Sequence, residues 1–135
     1  MSVRVVEPGI IEVVYESADD MAPARQGALR ALMDTQLAHG PLALVFVVRQ
    51  VPGVDAAVPK YWLEVTRRLA PRLCAMAVTS TSMAVRAAAR AFSVANTLTR
   101  VAVDARAFRD EIEALDWARA CVRAAASGVL PATSA

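Results

Sequence analysis

The sequence predicts an α/β fold: a single domain in which an N-terminal β-hairpin leads into alternating helices and strands, with a mostly parallel central sheet flanked by helices. Three observations predict it. Leu42-Ala43-Leu44-Val45-Phe46-Val47-Val48 is apolar at every position, which is how a strand reads when helices cover both faces of its sheet. On either side of that run, stretches with apolar residues at helical spacing alternate with shorter apolar segments. Ahead of them lie two segments rich in β-branched residues, joined by Glu7-Pro8-Gly9, a turn-forming insert that suits an antiparallel pair.

The elements follow in order. Val3-Arg4-Val5-Val6 and Ile10 to Tyr15 make the hairpin. Asp19 or Asp20 can cap a first helix in which Pro23 falls within the first turn, where its missing N–H costs little, and Leu29, Leu32, Met33 and Leu37 share a face. Gly40-Pro41 stops that helix ahead of the central strand, and Pro52-Gly53 ends the strand. Pro59 suits an early position in a second helix whose inner face is Val58, Trp62, Val65 and Leu69, and Pro71 limits it near Ala70. Ala75 to Val78 reads as a short strand. Thr79-Ser80-Thr81-Ser82 then offers N-caps to a helix from about Met83 to Leu98, with Ala84, Ala88, Ala91, Phe92, Ala95 and Leu98 as its apolar face. Val101-Ala102-Val103 is expected as the last strand. Asp110-Glu111-Ile112-Glu113 resembles a capping box for a final helix with Ile112, Leu115, Ala118 and Val122 inward. The domain is expected to span residues 1–126, with 127–135 as a flexible C-terminal tail.

Composition bounds the function. The 135 residues are 56% hydrophobic and 21% charged, enough to bury a core without a disulfide or structural metal. Cationic residues break every apolar run well short of a membrane span, and the first residues lack the layout of a secretory signal. A cytoplasmic protein without membrane insertion is expected. The net charge is only +2, and Lys60 is the one lysine. Arg67, Arg68 and Arg72 form the tightest basic group, but Glu64 lies beside them and no aromatic residues interleave. They read as a solvated helix face, and no nucleic-acid partner is expected. Cys74 and Cys121 each sit in an apolar run and read as buried reduced thiols, and the single His39 with no paired cysteines excludes the usual zinc patterns.

This order of elements resembles the SpoIIAA-like (STAS/SEC14-type) branch of the STAS superfamily over about residues 3 to 122. Val101 to Phe108, followed by Glu113-Ala114-Leu115-Asp116-Trp117, is similar to the family's closing pattern, a strand leading to a Phe and then a helix carrying Ala-Leu-x-Trp. Its physical sense is packing: Phe108 covers the sheet end, and Leu115 and Trp117 anchor different sides of the helix. Such a motif carries a fold and leaves function open. The resemblance implies a bacterial regulatory domain that binds proteins. In members that antagonise anti-sigma factors, a Ser or Thr is phosphorylated just after an Asp at the head of the helix following the central strand. The similar place here reads Gly53-Val54-Asp55-Ala56-Ala57-Val58-Pro59. Asp55 matches the acid, and Ala56 stands where the hydroxyl would be. Ser80, Thr81 and Ser82 remain candidate phosphorylation sites on another loop, or helix caps.

No catalytic residue, metal site or cofactor is expected. The glycines never cluster into a phosphate loop. His39, beside Gly40 at a helix end, suits an interaction with the last carbonyls. Lys60-Tyr61-Trp62 is the unusual feature, and with Asp55 it forms the candidate partner-binding surface; ordinary helix packing with a surface lysine explains the same residues. The expected function is a non-enzymatic regulatory or scaffolding module acting on another protein, with a homodimer as one form of that contact. The alternative is a carrier or sensor of a small apolar ligand between helices and sheet, lined by Met33, Phe46, Trp62, Met76 and Phe92, all equally ordinary core residues.

Overall fold

The computed structural model describes residues 1–128. Strand β1 (Ser2–Glu7) reverses into β2 (Ile10–Tyr15), antiparallel, with Val3 opposite Val13. Gly9 carries the reversal at φ +88°, and a Cβ there would lie 3.0 Å from the Pro41 carbonyl oxygen and 3.2 Å from Val122 Cγ1. Glycine is required on both counts. Two 3-10 turns, Ala18–Met21 and Pro23–Arg25, precede α1 (Gly27–Leu37). The expected single helix is thus delayed: Asp20 turns its carboxylate to the backbone N–H of Glu16 at 2.8 Å and caps nothing in α1, while Pro23 opens the second 3-10 turn.

The chain continues through β3 (Leu42–Val48), α2 (Ala57–Leu69), β4 (Leu73–Thr79), α3 (Met83–Leu98), β5 (Asp104–Phe108) and α4 (Glu111–Ala126). The sheet order is β1-β2-β3-β4-β5, with every pair after the hairpin parallel. Crossovers between neighbouring parallel strands are right-handed, so a sheet laid down steadily in one direction puts its connecting helices on one face. Accordingly α1, α2 and α3 pack on one side, against Ile11, Val13, Leu44, Phe46 and Met76. Helix α4 alone covers the other, where Ala114 and Ala118 meet Ile10, Ala43, Val45, Ala75 and Ala77. Alternate residues of each strand serve the two layers.

Three expectations are corrected. The last strand is Asp104–Phe108 and not Val101-Ala102-Val103, because pairing with Ala75 to Thr79 falls on the later residues; Val103 is buried from the preceding loop. The inner face of α3 is Val85, Ala89, Phe92 and Asn96, so Ala84, Ala91 and Leu98 face water, Leu98 being 77% exposed. On α4 the inward residues are Ala114 and Ala118, with Leu115 and Val122 half-buried. Ile112 is 69% exposed. The reason is the alanine-lined back of the sheet, which lets a helix approach closely only through small side chains. Ser127 and Gly128 turn after α4, and residues 129–135 of the expected tail lie outside the described residues.

The expected closing contact is present: the Phe108 and Trp117 rings lie 5.5 Å apart, and the Arg106 guanidinium sits 5.4 Å over Trp117. Trp117→Ala is expected to cost about 3 kcal/mol, read as a lower denaturation midpoint with an unchanged slope. A variant as stable as its parent would show that this half-buried ring contributes nothing to closing the sheet edge.

Candidate functional site

Parallel strands direct their carboxyl ends to one edge of the sheet, and there the heads of α2 and α3 stand over them. Between them is a cleft of about 80 Å³ that opens to solvent. Its floor is Tyr15, Phe46, Val48, Met76 and Val78; its walls are Val58 and Trp62 from α2 and Val85, Ala88 and Phe92 from α3. The aromatic residues are locked to one another, Phe46 lying 5.7 Å from Tyr15 and 5.1 Å, edge-on, from Trp62. Such offset and edge contacts fix ring positions beyond what burial alone does.

Tyr15 brings the one polar atom of those aromatic rings apart from the Trp62 indole, and its hydroxyl is already used. It donates to Gln26 Oε1 at 2.6 Å, while Gln26 Nε2 donates to the carbonyls of Asp20 at 2.7 Å and Ala22 at 2.9 Å. Burial, reinforced by Tyr61 and Asp20, holds the Tyr15 phenol well above its ordinary value of 10.0, so it remains a neutral donor. Gln26 is completely buried and straps the 3-10 segment to the end of β2. The sequence reading passed over it, although a signal was there: Gln26 continues the Leu29, Met33, Leu37 stripe as a polar residue on an apolar face, and a buried amide must find partners. The Asp20 carboxyl in the same segment is held below its usual 3.8, first by the Glu16 N–H and then by the chain's amino group.

The residues singled out from the sequence separate into groups. Trp62 is only 5% exposed and forms part of the cleft wall, where its place on the apolar face of α2 puts it. Tyr61 is half-buried, packed edge-on to Trp62 at 5.3 Å. Asp55 and Lys60 are exposed and adjoin in sequence the cleft-lining Val54 and Pro59, and Asp55 Oδ1 accepts from the Ala57 N–H at 2.8 Å, holding the head of α2. Ala56 is exposed at the place where the resemblance puts a phosphorylated hydroxyl. Ser80 and Ser82 serve the start of α3: Ser80 Oγ accepts from Ser82 N at 3.1 Å, and Ser82 Oγ accepts from Val85 N at 3.3 Å. Thr81 between them is exposed. Of the five side chains expected to line an apolar ligand site, Phe46, Trp62, Met76 and Phe92 line the cleft, and Met33 is buried away from it.

Reactive chemistry is distant or suppressed. His39 is exposed in the turn ahead of β3, at the opposite end of the sheet. Cys74 and Cys121 are free thiols. Burial pushes both up to about 11, which keeps them protonated at neutral pH. Cys74 is buried as expected, and its Sγ donates to the Leu42 carbonyl at 3.3 Å, whereas Cys121 is half-buried on α4. Among the described residues no three His, Cys, Asp or Glu side chains converge, and no helix is long and apolar enough to cross a membrane.

No protein-family model matches the chain, and no curated protein matches it. Among solved structures it is similar to an uncharacterised protein of the DUF3478 family with a SpoIIAA-like fold, from Shewanella loihica. The two are 16% identical, the match covers 86% of this chain and 89% of the other, and the TM-score is 0.51. The fold is therefore SpoIIAA-like, as the order of elements led us to expect.

Gln26→Leu leaves the buried Tyr15 hydroxyl without its acceptor and is expected to cost about 1–3 kcal/mol. Adding Tyr15→Phe should recover part of that loss, a coupling that denaturant unfolding of the two single variants and the double variant measures. Strictly additive losses would contradict the strap.

Proposed function

We propose that this SpoIIAA-like chain is a non-enzymatic regulatory module that binds another protein at the head of α2, seating an apolar side chain of that partner in the cleft. The observation that carries the reading is the solvent-open apolar cleft at the carboxyl ends of the parallel strands, with exposed Asp55 and Lys60 next in sequence to its lining residues Val54 and Pro59. Burying one aliphatic side chain there contributes about 1.5–3 kcal/mol, the scale of a hot spot seated in a pocket. Asp55 and Lys60 then set orientation from the rim. The lining includes no His, Cys, Asp or Glu, which supports binding over catalysis. With Ala56 at the head of α2, regulation of this surface does not run through a phosphate at that position. Two free thiols held protonated suit a reducing compartment such as the cytoplasm.

The second reading, a carrier of a free apolar ligand, draws support from the same lining. Size weighs against it. A cavity that holds benzene measures about 150 Å³, against about 80 Å³ here. A free ligand would leave part of its surface in water, whereas a side chain need only insert its end.

Affinity capture from native lysate tests the proposal with three proteins: the parent, Ala88→Leu, which fills the cleft from its half-buried rim, and Asp55→Arg/Lys60→Glu. A partner held by the parent and lost from both variants, each still unfolding cooperatively, is the expected result. Retention by both variants would contradict it. Extra mass on the freshly purified parent in native mass spectrometry, released by denaturation and absent from Ala88→Leu, would establish the carrier reading instead.

A further inference from the structure

We infer that the outward face of α3 is a second interaction surface, and that it takes an acidic amphipathic helix of a partner protein. It uses a different face from the cleft, so the two proposals can fail separately. Met83, Val94 and Leu98 are 78%, 56% and 77% exposed, and they are half of the large apolar residues left exposed among the described residues. They share one side of the helix: Met83, Ala87, Val94 and Leu98 follow helical spacing, opposite the buried stripe of Val85, Ala89, Phe92 and Asn96. Fifteen residues of rise make this ridge roughly 22 Å long. Scattered exposed apolar residues need no explanation, but a continuous ridge along one helix does.

The form and charge of the occupant follow from what borders the ridge. Exposed Ala84, Ala87 and Ala91 keep its middle low, so another helix can lie close along it, with its own large side chains over the alanines. Arg90 and the half-buried Arg86 flank one side. No acidic residue occurs between Met83 and Leu98. Helices α2 and α3 together carry Lys60, Arg67, Arg68, Arg86 and Arg90 against Glu64 alone. None of these five cations forms an ion pair among the described residues, although Arg4, Arg49, Arg106 and Arg119 all do. Of the eleven cationic side chains without an ion pair among the described residues, these five stand on two adjacent helices with a single carboxylate among them. A second copy of α3 would set cations against cations with nothing to neutralise them. An anionic membrane is disfavoured because the ridge offers Met, Val and Leu without the aromatic residues that anchor interfacial helices. Acidic residues flanking an apolar helical seam complete both features at once.

The test is an NMR titration of the whole chain with two synthetic helical peptides that share a leucine seam, one flanked by Glu and the other by Lys. The Glu peptide should shift α3 amides from Met83 to Leu98. Val94→Glu and Leu98→Glu, both at exposed positions and therefore expected to fold, should each weaken binding about tenfold or more, as loss of an interface anchor does. Arg90→Glu should weaken the Glu peptide and strengthen the Lys peptide. Equal binding of the two peptides, or of neither, overturns the inference. So do α3 shifts that appear with protein concentration alone, which would mean a second copy, or with anionic vesicles in place of peptide. Shifts gathered at Val58 and Met76 would assign the peptide to the cleft, overturning the ridge while leaving the cleft proposal standing.

Discussion

Seven consecutive residues of β3, Leu42–Val48, are buried, and this strand imposes the architecture. A strand with no side facing water needs a helical layer on each face of its sheet, and each large side chain so covered contributes about 1.5–3 kcal/mol. The two layers are unequal. Three connecting helices cover one face because the strands are added in a single direction, and one terminal helix must cover the other. Helix α4 manages this by lying close, alanine against alanine. Polar contacts tie its middle to the hairpin and brace the hairpin itself: Arg119 Nε lies 2.6 Å from Glu7 Oε1, and Arg4 Nε lies 3.0 Å from Glu12 Oε1 over the back of β1 and β2.

The same constraint places the candidate site. All strands after β1 run one way, so the loops that follow them gather at one edge, where the heads of α2 and α3 leave the apolar cleft. Its floor is stiffened by aromatic contacts and by the Tyr15–Gln26 strap, which together hold a hollow open where collapse would otherwise bury more apolar surface. The shape is held while the chemistry is muted: the phenol is neutral, both thiols are protonated, and the one histidine is at the far end.

Most of the fold was legible because its strongest signals are local. The unbroken apolar run of β3, the Pro8-Gly9 reversal and the Ser82 and Asp110 caps each express a rule that operates within a few residues, and the structure has them all. The misreadings fall where tertiary context decides. Val101-Ala102-Val103 has the better strand composition, yet β4 pairs with Asp104–Phe108 because register is set by the neighbouring strand. Helix α3 carries alanines on its buried and its exposed sides alike, so they did not mark the inner face, and the buried stripe was misread by about one position. Ile112 looked like core and is exposed, because small residues fit the back of the sheet better than large ones. Of the candidate site, Phe46, Trp62, Met76 and Phe92 were found as residues, but a sequence does not say whether such residues fill a core or line a hollow. Gln26 and the exposed ridge of α3 were missed because each is defined by a partner, present or absent, outside its own helix.

What matters most for the proposed binding is whether the apolar hollow over the carboxyl ends of β2, β3 and β4 is open to occupation. Methyl-detected NMR of the protein under xenon pressure tests this most directly, since xenon enters apolar cavities and asks nothing of a polar partner. Saturable shifts centred on the methyl groups of Val58, Met76 and Val85 are expected. Shifts absent there, or confined to exposed residues such as Val94 and Leu98, would show the hollow closed and contradict the proposed binding.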